Sequence, residues 1–178
     1  MNLLPTNQTG EDPGWKSAGP YHQDIFTLWG TCRCSTALMH VISPVAYDEY
    51  LRAMIDMLRF DGYMPDGRSS NHNSRTHGGT NVDNVSADAC VKNFRGQVNL
   101  SDRYAAMVKD AEITPPNTNY PDLMALDSST KKGRGALPDW LKYGFIIPNF
   151  SRAVSRAVEY AYNDFTLYQV VKGLNKTD

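Results

Sequence analysis

Apolar residues recur at three- and four-residue steps between Val45 and Phe60. Tyr47, Tyr50, Leu51, Met54, Ile55 and Leu58 form one stripe, while Asp48, Glu49, Arg52, Asp56 and Arg59 occupy the other side. That period predicts an amphipathic helix with one face turned to a core. Pro44 ends a preceding helix placed over Cys32–Val41, because the residue before a proline disfavours the α region. Gly62 punctuates the far end. The same reading places a helix over Val82–Asn93 and another from Asp102 to Ala111, capped by Ser101. A short helical piece covers Leu137–Gly144, with Pro138 in its first turn. A long helix over Arg152–Lys172, with Ser151 as its cap, would run about 30 Å. The stretches Asp66–Gly79 and Ile113–Gly135 are rich in Gly, Ser, Asn and Pro and read as irregular connections. No convincing set of strands emerges, since the alternation at Phe145–Ile147 is brief. Helices joined by long irregular loops give an all-α fold.

The chain has 178 residues, 41% hydrophobic and 21% charged, which suits one soluble domain over residues 1–178, with 1–28 as an irregular lead-in. A net charge of −1, with no basic cluster, gives no reason to expect nucleic acid as a partner. There is no apolar run of about eighteen residues, so no membrane span is expected, and the start lacks the pattern of a signal peptide. Localisation therefore stays open. Sequons at Asn7, Asn84, Asn99, Asn149 and Asn175 hint weakly at a secretory origin. Three cysteines, with Cys32 and Cys34 one residue apart, suit neither a disulfide framework nor a zinc site. Cys32 and Cys34 read as buried small hydrophobes.

Common catalytic signatures are absent: there is no GxSxG, Walker loop, HExxH or paired CxxC. His22, His40, His72 and His77 lack metal-ligand spacing, and His40 reads as a satisfied core group. Gly78 and Gly79 permit a tight approach to a helix start that Thr80 or Asn81 can cap. Asp88 interrupts a small apolar helix, so it is either a salt-bridge partner of an Arg or Lys or a contact to a sugar hydroxyl. Glu159 lies among Val158, Tyr160 and Ala161, which suggests partial burial. Burial raises a carboxyl pKa as a general acid requires, and a structural pair with an Arg is the alternative. Glu159 and Asp164 are five residues apart and do not share one narrow helix face.

Several segments resemble, in order, glycoside hydrolase family 92, especially its fungal members. They are Thr9–Arg33, containing WGTCR at Trp29–Arg33; MPDGR at Met64–Arg68; HGGTNVDNVSADACVKNFRG at His77–Gly96; RYAAMVKDAEITPP at Arg103–Pro116; and VSRAVEYAYNDF at Val154–Phe165. The resemblance implies a calcium-dependent, inverting exo-α-mannosidase with a mannose-containing glycan as substrate. It also implies an (α/α)₆ barrel preceded by a β-sandwich, with this chain forming roughly the first half of the barrel.

Trp29, Arg33, Asp88 and Glu159 are the substrate-binding residues expected on this basis. The family's Trp-Asp pair is Trp29-Gly30 here, so one carboxylate of the sugar subsite is missing. The family's catalytic acid, its base region and much of its calcium site fall in segments expected beyond Asp178. No catalytic residue or metal ligand is therefore assigned, the chain is not expected to hold calcium alone, and it is expected to be inactive by itself. Family members are often secreted. Half a closed barrel leaves apolar faces uncovered, which favours self-association. Two other readings remain at this point: a non-catalytic all-α module binding a carbohydrate or protein, and an active fragment completed by a partner chain.

Overall fold

The computed structural model describes residues 28–65, 68–69, 72–73, 80–94, 96, 98–115, 133–150 and 152–176. Among them the helices are α1 (Leu28–Thr31), α2 (Ser35–Ile42), α3 (Pro44–Asp61), α4 (Asn81–Val91), α5 (Leu100–Glu112), α6 (Leu137–Tyr143) and α7 (Ala153–Gly173). The all-α expectation holds. One minimal strand pair lies within the long polar connection: β1 (Arg68–Ser69) runs antiparallel to β2 (His72–Asn73), with Arg68 opposite Asn73 and Ser69 opposite His72. Most of that connection, the first 27 residues with His22, and also His77 and Ser151, lie outside the described residues.

The helix expected over Cys32–Val41 starts later, at Ser35 as α2, and a separate short helix that was not expected, α1, precedes it. A turn at Cys32–Cys34 separates α1 from α2, with the Cys34 N–H donating to Thr31 O at 3.3 Å. The cap of α5 is Asn99, not Ser101. The Asn99 side-chain oxygen accepts from the Ser101 N–H at 2.8 Å, and the helix starts earlier than a Ser101 cap would allow. At the start of α7 the cap position is Arg152, in a left-handed conformation (φ 56°) without a side-chain cap. Thr80 takes the cap position of α4, again without a side-chain cap bond. Gly62 ends α3 with φ 84°, where a residue bearing a Cβ would be strained.

Tyr47, Leu51, Met54 and Ile55 of the α3 stripe are buried, and Tyr50 and Leu58 are half-buried. Asp56, expected on the polar face, is also buried and pairs with Arg59. An 18-residue helix in a packed layer is covered over more than one narrow stripe, and an ion pair makes that burial tolerable for a carboxylate. The main core joins Leu28, Met54, Met57, Met64, Val82, Val85, Met107 and Val170. A smaller one unites Ala136, Ile146 and Tyr160 under Trp140 and Phe150. Cys32 is buried as expected, but Cys34 is exposed because it falls in the turn between α1 and α2. His40 packs on Phe94 and Tyr47, with ring centroids 5.0 and 5.5 Å away.

The most extensive helix pairing is α4 against α7. Its seam is polar as well as apolar. Asn163 accepts from the Thr80 N–H at 3.2 Å and donates to Thr80 O and to Asn84 Oδ1, both at 3.1 Å. Thr166 donates to Asn84 Oδ1 at 3.2 Å, and Asn84 donates to Asn81 Oδ1 at 3.0 Å. Asn84 is thus buried in a network and is no glycan acceptor in the folded chain. The opposite side of α7 leaves Val154, Val158, Phe165 and Tyr168 exposed at three-, four- and seven-residue steps. No helix among the described residues is long and apolar enough to cross a membrane.

Candidate functional site

Alpha1 carries Trp29, and the turn that closes it delivers Arg33 one helical turn further on. Arg33 Nε donates to Trp29 O at 3.1 Å, so the backbone of the tryptophan anchors the arginine. Arg33 Nη2 then meets Glu159 Oε1 of α7 at 2.8 Å. The guanidinium also lies 5.7 Å from the ring centroid of Tyr162, one turn along α7. Three of the four residues expected at a sugar subsite, Trp29, Arg33 and Glu159, are brought together. Glu159 is nearly covered, with 11% of its side chain exposed against 54% for Arg33. The carboxylate therefore sits behind the guanidinium, and Arg33 presents the open edge.

Asp88 is placed differently. Its carboxylate is bound by Lys92 at 2.8 Å, one turn along α4, which is the ion-pair alternative for this residue. It still acts electrostatically on Tyr162. Burial pushes the Tyr162 phenol up, the Cys32, Asp88 and Glu159 groups add to this, and Arg33 opposes it. Tyr162 is the residue common to the whole cluster, yet nothing in its spacing marked it. The only available signal was its place one turn after Glu159 on the same helix.

Gly30, at the position where the resemblance calls for aspartate, has no atom of another described element within 4 Å of where a Cβ would stand. Among the described residues the position is open and could accept a side chain without displacing anything.

Asp164 belongs to a second cluster. Arg134, fully buried ahead of α6, bonds Asp164, and the Trp140 indole N–H donates to the other Asp164 oxygen at 2.8 Å. Arg134 Nη2 is also 3.6 Å from Asp83 Oδ2, and its Nε reaches Thr80 Oγ1 at 3.4 Å. Glu159 and Asp164 thus serve separate arginines on different sides of α7, as their spacing requires. Sequence reasoning did not single out Arg134 or Asp110, because both sit in or beside segments that read as connections or helix ends.

Chemically, the first cluster offers a half-exposed guanidinium and an aromatic neighbour, which suits hydroxyl-rich ligands. It does not offer two free carboxyls across a gap, since Glu159 is engaged by Arg33. Nor do the described residues gather three His, Cys, Asp or Glu side chains able to hold a cation. The buried carboxylate of Asp83 and the part-exposed one of Asp164 share their space with Arg134, a charge that repels a metal ion.

The family described as "Glycosyl hydrolase family 92 catalytic domain" matches residues 1–178. A fungal protein of Arthroderma benhamiae, named "Uncharacterized secreted glycosidase", is 30% identical over 183 residues, covering 98% of this chain and 19% of that protein. Among solved structures, a family GH92 alpha-mannosidase of Bacteroides thetaiotaomicron superposes with a TM-score of 0.70 at 21% identity, over 90% of this chain and 20% of that one. A Family GH92 inverting mannosidase of the same organism superposes with a TM-score of 0.69 at 21% identity, over 84% of this chain and 19% of that one. At that identity the structural likeness speaks for the fold. The chain spans about a fifth of the length of these relatives.

Proposed function

This chain belongs to glycosyl hydrolase family 92, and we propose from that premise that it forms one wall of the sugar cleft of an α-mannosidase catalytic domain. Trp29 supplies the aromatic flank. Arg33 donates to sugar hydroxyls from its open edge, and Glu159 holds Arg33 in that pose. The observation that carries this reading is the Arg33–Glu159 pair, which joins two stretches that resemble the family, WGTCR and VSRAVEYAYNDF, at 2.8 Å. Tyr162 completes the flank beside the guanidinium. Asp88 supports this wall through its field and is tied to Lys92, so direct contact with sugar is assigned to Trp29 and Arg33.

A solved relative bears the name alpha-mannosidase and has been described in complex with mannoimidazole, which supports a mannoside as the ligand of the cleft. Another is described as inverting. Inversion needs an acid and a base with carboxyls about 6.5–9.5 Å apart, leaving room for the attacking water. Glu159 is occupied by Arg33 and Asp164 by Arg134, so neither is free for those roles. We assign the acid, the base and the calcium that the resemblance implies to the rest of the enzyme. The chain by itself then binds without turnover. Its uncovered α7 face, at Val154, Val158, Phe165 and Tyr168, favours self-association when nothing else covers it.

Hydrolysis of 4-nitrophenyl α-mannoside by the purified chain, with and without calcium, tests the assignment. No release of nitrophenol is expected under either condition. Turnover that disappears on chelation would place the catalytic machinery within these residues and overturn the reading.

A further inference from the structure

Ahead of α6, one buried guanidinium lies against the carboxylates of Asp164 and Asp83, with Asp110 close by. Arg134 bonds Asp164 of α7, lies 3.6 Å from Asp83 of α4, and sits 5.5 Å from the Tyr160 ring centroid. Asp110 of α5 closes the group from the other side. A Cβ at Gly133, the residue before Arg134, would lie 3.6 Å from Asp110 Oδ1 and 2.9 Å from the Tyr63 ring. Asp83, Asp110 and Arg134 each have 0% exposure. All four carboxyl oxygens of Asp83 and Asp110 are buried without a hydrogen-bond partner, since 3.6 Å to Arg134 is too long for one.

The charge count decides what state this cluster adopts. Asp164 is satisfied by Arg134 and by Trp140 and reaches solvent. One guanidinium is left to compensate two further carboxylates that water cannot reach. An uncompensated buried carboxylate is far costlier than a neutral carboxylic acid, so the group keeps a proton instead. Among the described residues, the further cation that acts on this group is Lys109. Lys109, on the same helix as Asp110, has its ammonium 4.6 Å from the Tyr63 ring centroid. Thr80, Tyr63 and Tyr160 are neutral.

We propose that Asp83 and Asp110 retain one shared proton at neutral pH, and that this proton latches the Gly133–Leu137 segment, and with it α6, onto α4, α5 and α7. Removing the proton leaves two buried negative charges around one arginine and pushes that segment outward.

Burial pushes the Asp83 carboxyl up to about 7, with the charge of Arg134 pulling the other way. Burial and then the negative charge of Asp83 raise Asp110, against Arg134 and Lys109. Unfolded aspartate titrates near about 3.9. A carboxyl raised by folding contributes stability that is complete below that unfolded value and is lost as pH climbs through the folded one. The chain should therefore be most stable in mild acid and weaken through neutrality, the reverse of a salt-bridged carboxylate.

Thermal unfolding of the full 178-residue chain between about pH 5 and about pH 8.5 reads this directly. The wild-type midpoint is expected to fall by about 5 °C or more with rising pH. Asp110→Asn, which carries an amide in place of the neutral acid, should flatten that slope. A midpoint that is constant or rises over the range, or a slope unchanged in both Asp110→Asn and Asp83→Asn, would overturn the proposal. If these variants fail to fold, infrared spectra of the wild-type chain with ¹³C-labelled aspartate decide the matter alone. A protonated-carboxyl stretching band at pH 6 that bleaches above neutrality is expected, and its absence at pH 6 would overturn the latch.

Discussion

Arg33 Nη2 stands 2.8 Å from Glu159 Oε1, so residues 126 positions apart in the chain share one ion pair at the meeting of α1 and α7. The pair is asymmetric. Its carboxylate is covered and its guanidinium half exposed, and the arginine is further fixed by Trp29 O and the Tyr162 ring. A guanidinium held on three sides has little freedom left to lose when it meets a ligand, which is what a binding group requires.

Glu159→Gln keeps the shape of the side chain and removes its charge. Because the partner is more than half exposed and screened by solvent, the stability loss should be small, about 0.5–1 kcal/mol by urea unfolding. Mannoside affinity of the folded variant should fall more than stability does, because Arg33 is freed to wander. Equal affinity in Glu159→Gln and wild type would show that the carboxylate does not position the guanidinium.

Asn163→Ala should be among the most damaging single changes. It removes three buried hydrogen bonds at once: the Thr80 N–H loses its side-chain partner, while Thr80 O keeps the Asp83 N–H and Asn84 Oδ1 keeps the Thr166 hydroxyl. Losing these buried hydrogen bonds and orphaning the Thr80 N–H costs about 2–4 kcal/mol. Guanidinium unfolding monitored by far-UV circular dichroism would register it. A change below about 0.5 kcal/mol would mean that water replaces the amide in that seam.

Gly30→Asp restores the carboxylate that the Trp-Asp pair of the family would have. No atom of another described element stands within 4 Å of the new Cβ, so the fold should tolerate it. A charge-assisted hydrogen bond to a sugar hydroxyl contributes about 1.5–3 kcal/mol, or about one to two decades in affinity. Titration calorimetry with methyl α-mannoside compares the two proteins. Unchanged or weaker binding in a folded variant would argue that Gly30 does not face the sugar.

The α7 stripe makes a solution prediction. Phe165→Glu together with Val158→Lys places opposite charges on the exposed face without touching the α4 seam. Sedimentation velocity should show concentration-dependent association in wild type and a monomer in the double variant. Identical sedimentation of the two would remove this face as the cause of association.

The helical period was readable because burial of one face enforces it. The α3 stripe, the stop at Gly62 and the long final helix all follow from local rules that tertiary packing does not override. The break between α1 and α2 was not readable, because Thr31–Ser35 carries neither proline nor an interior glycine to announce a turn. Asn99 was missed as a cap since Ser101, two residues on, is an equally good cap by type. At the site, Glu159 was suspect for its apolar neighbours, but its partner could only be found in three dimensions: nothing in the intervening sequence couples it to Arg33, 126 positions away. The Asp83–Asp110–Arg134 cluster was hidden for the same reason. Each member looks like an ordinary helix-end or loop charge until packing removes the water around all three.

The central claim is that this chain binds an α-mannoside at Trp29 and Arg33 without turning it over. Proton NMR titration of the Trp29 indole resonance with methyl α-mannoside, in wild type and Arg33→Ala, measures it most directly. Saturable perturbation with a dissociation constant on the order of 1 mM, abolished in Arg33→Ala while the spectrum stays dispersed, is the expected result. A Trp29 resonance that does not move in wild type, or that moves equally in the variant, would contradict the account.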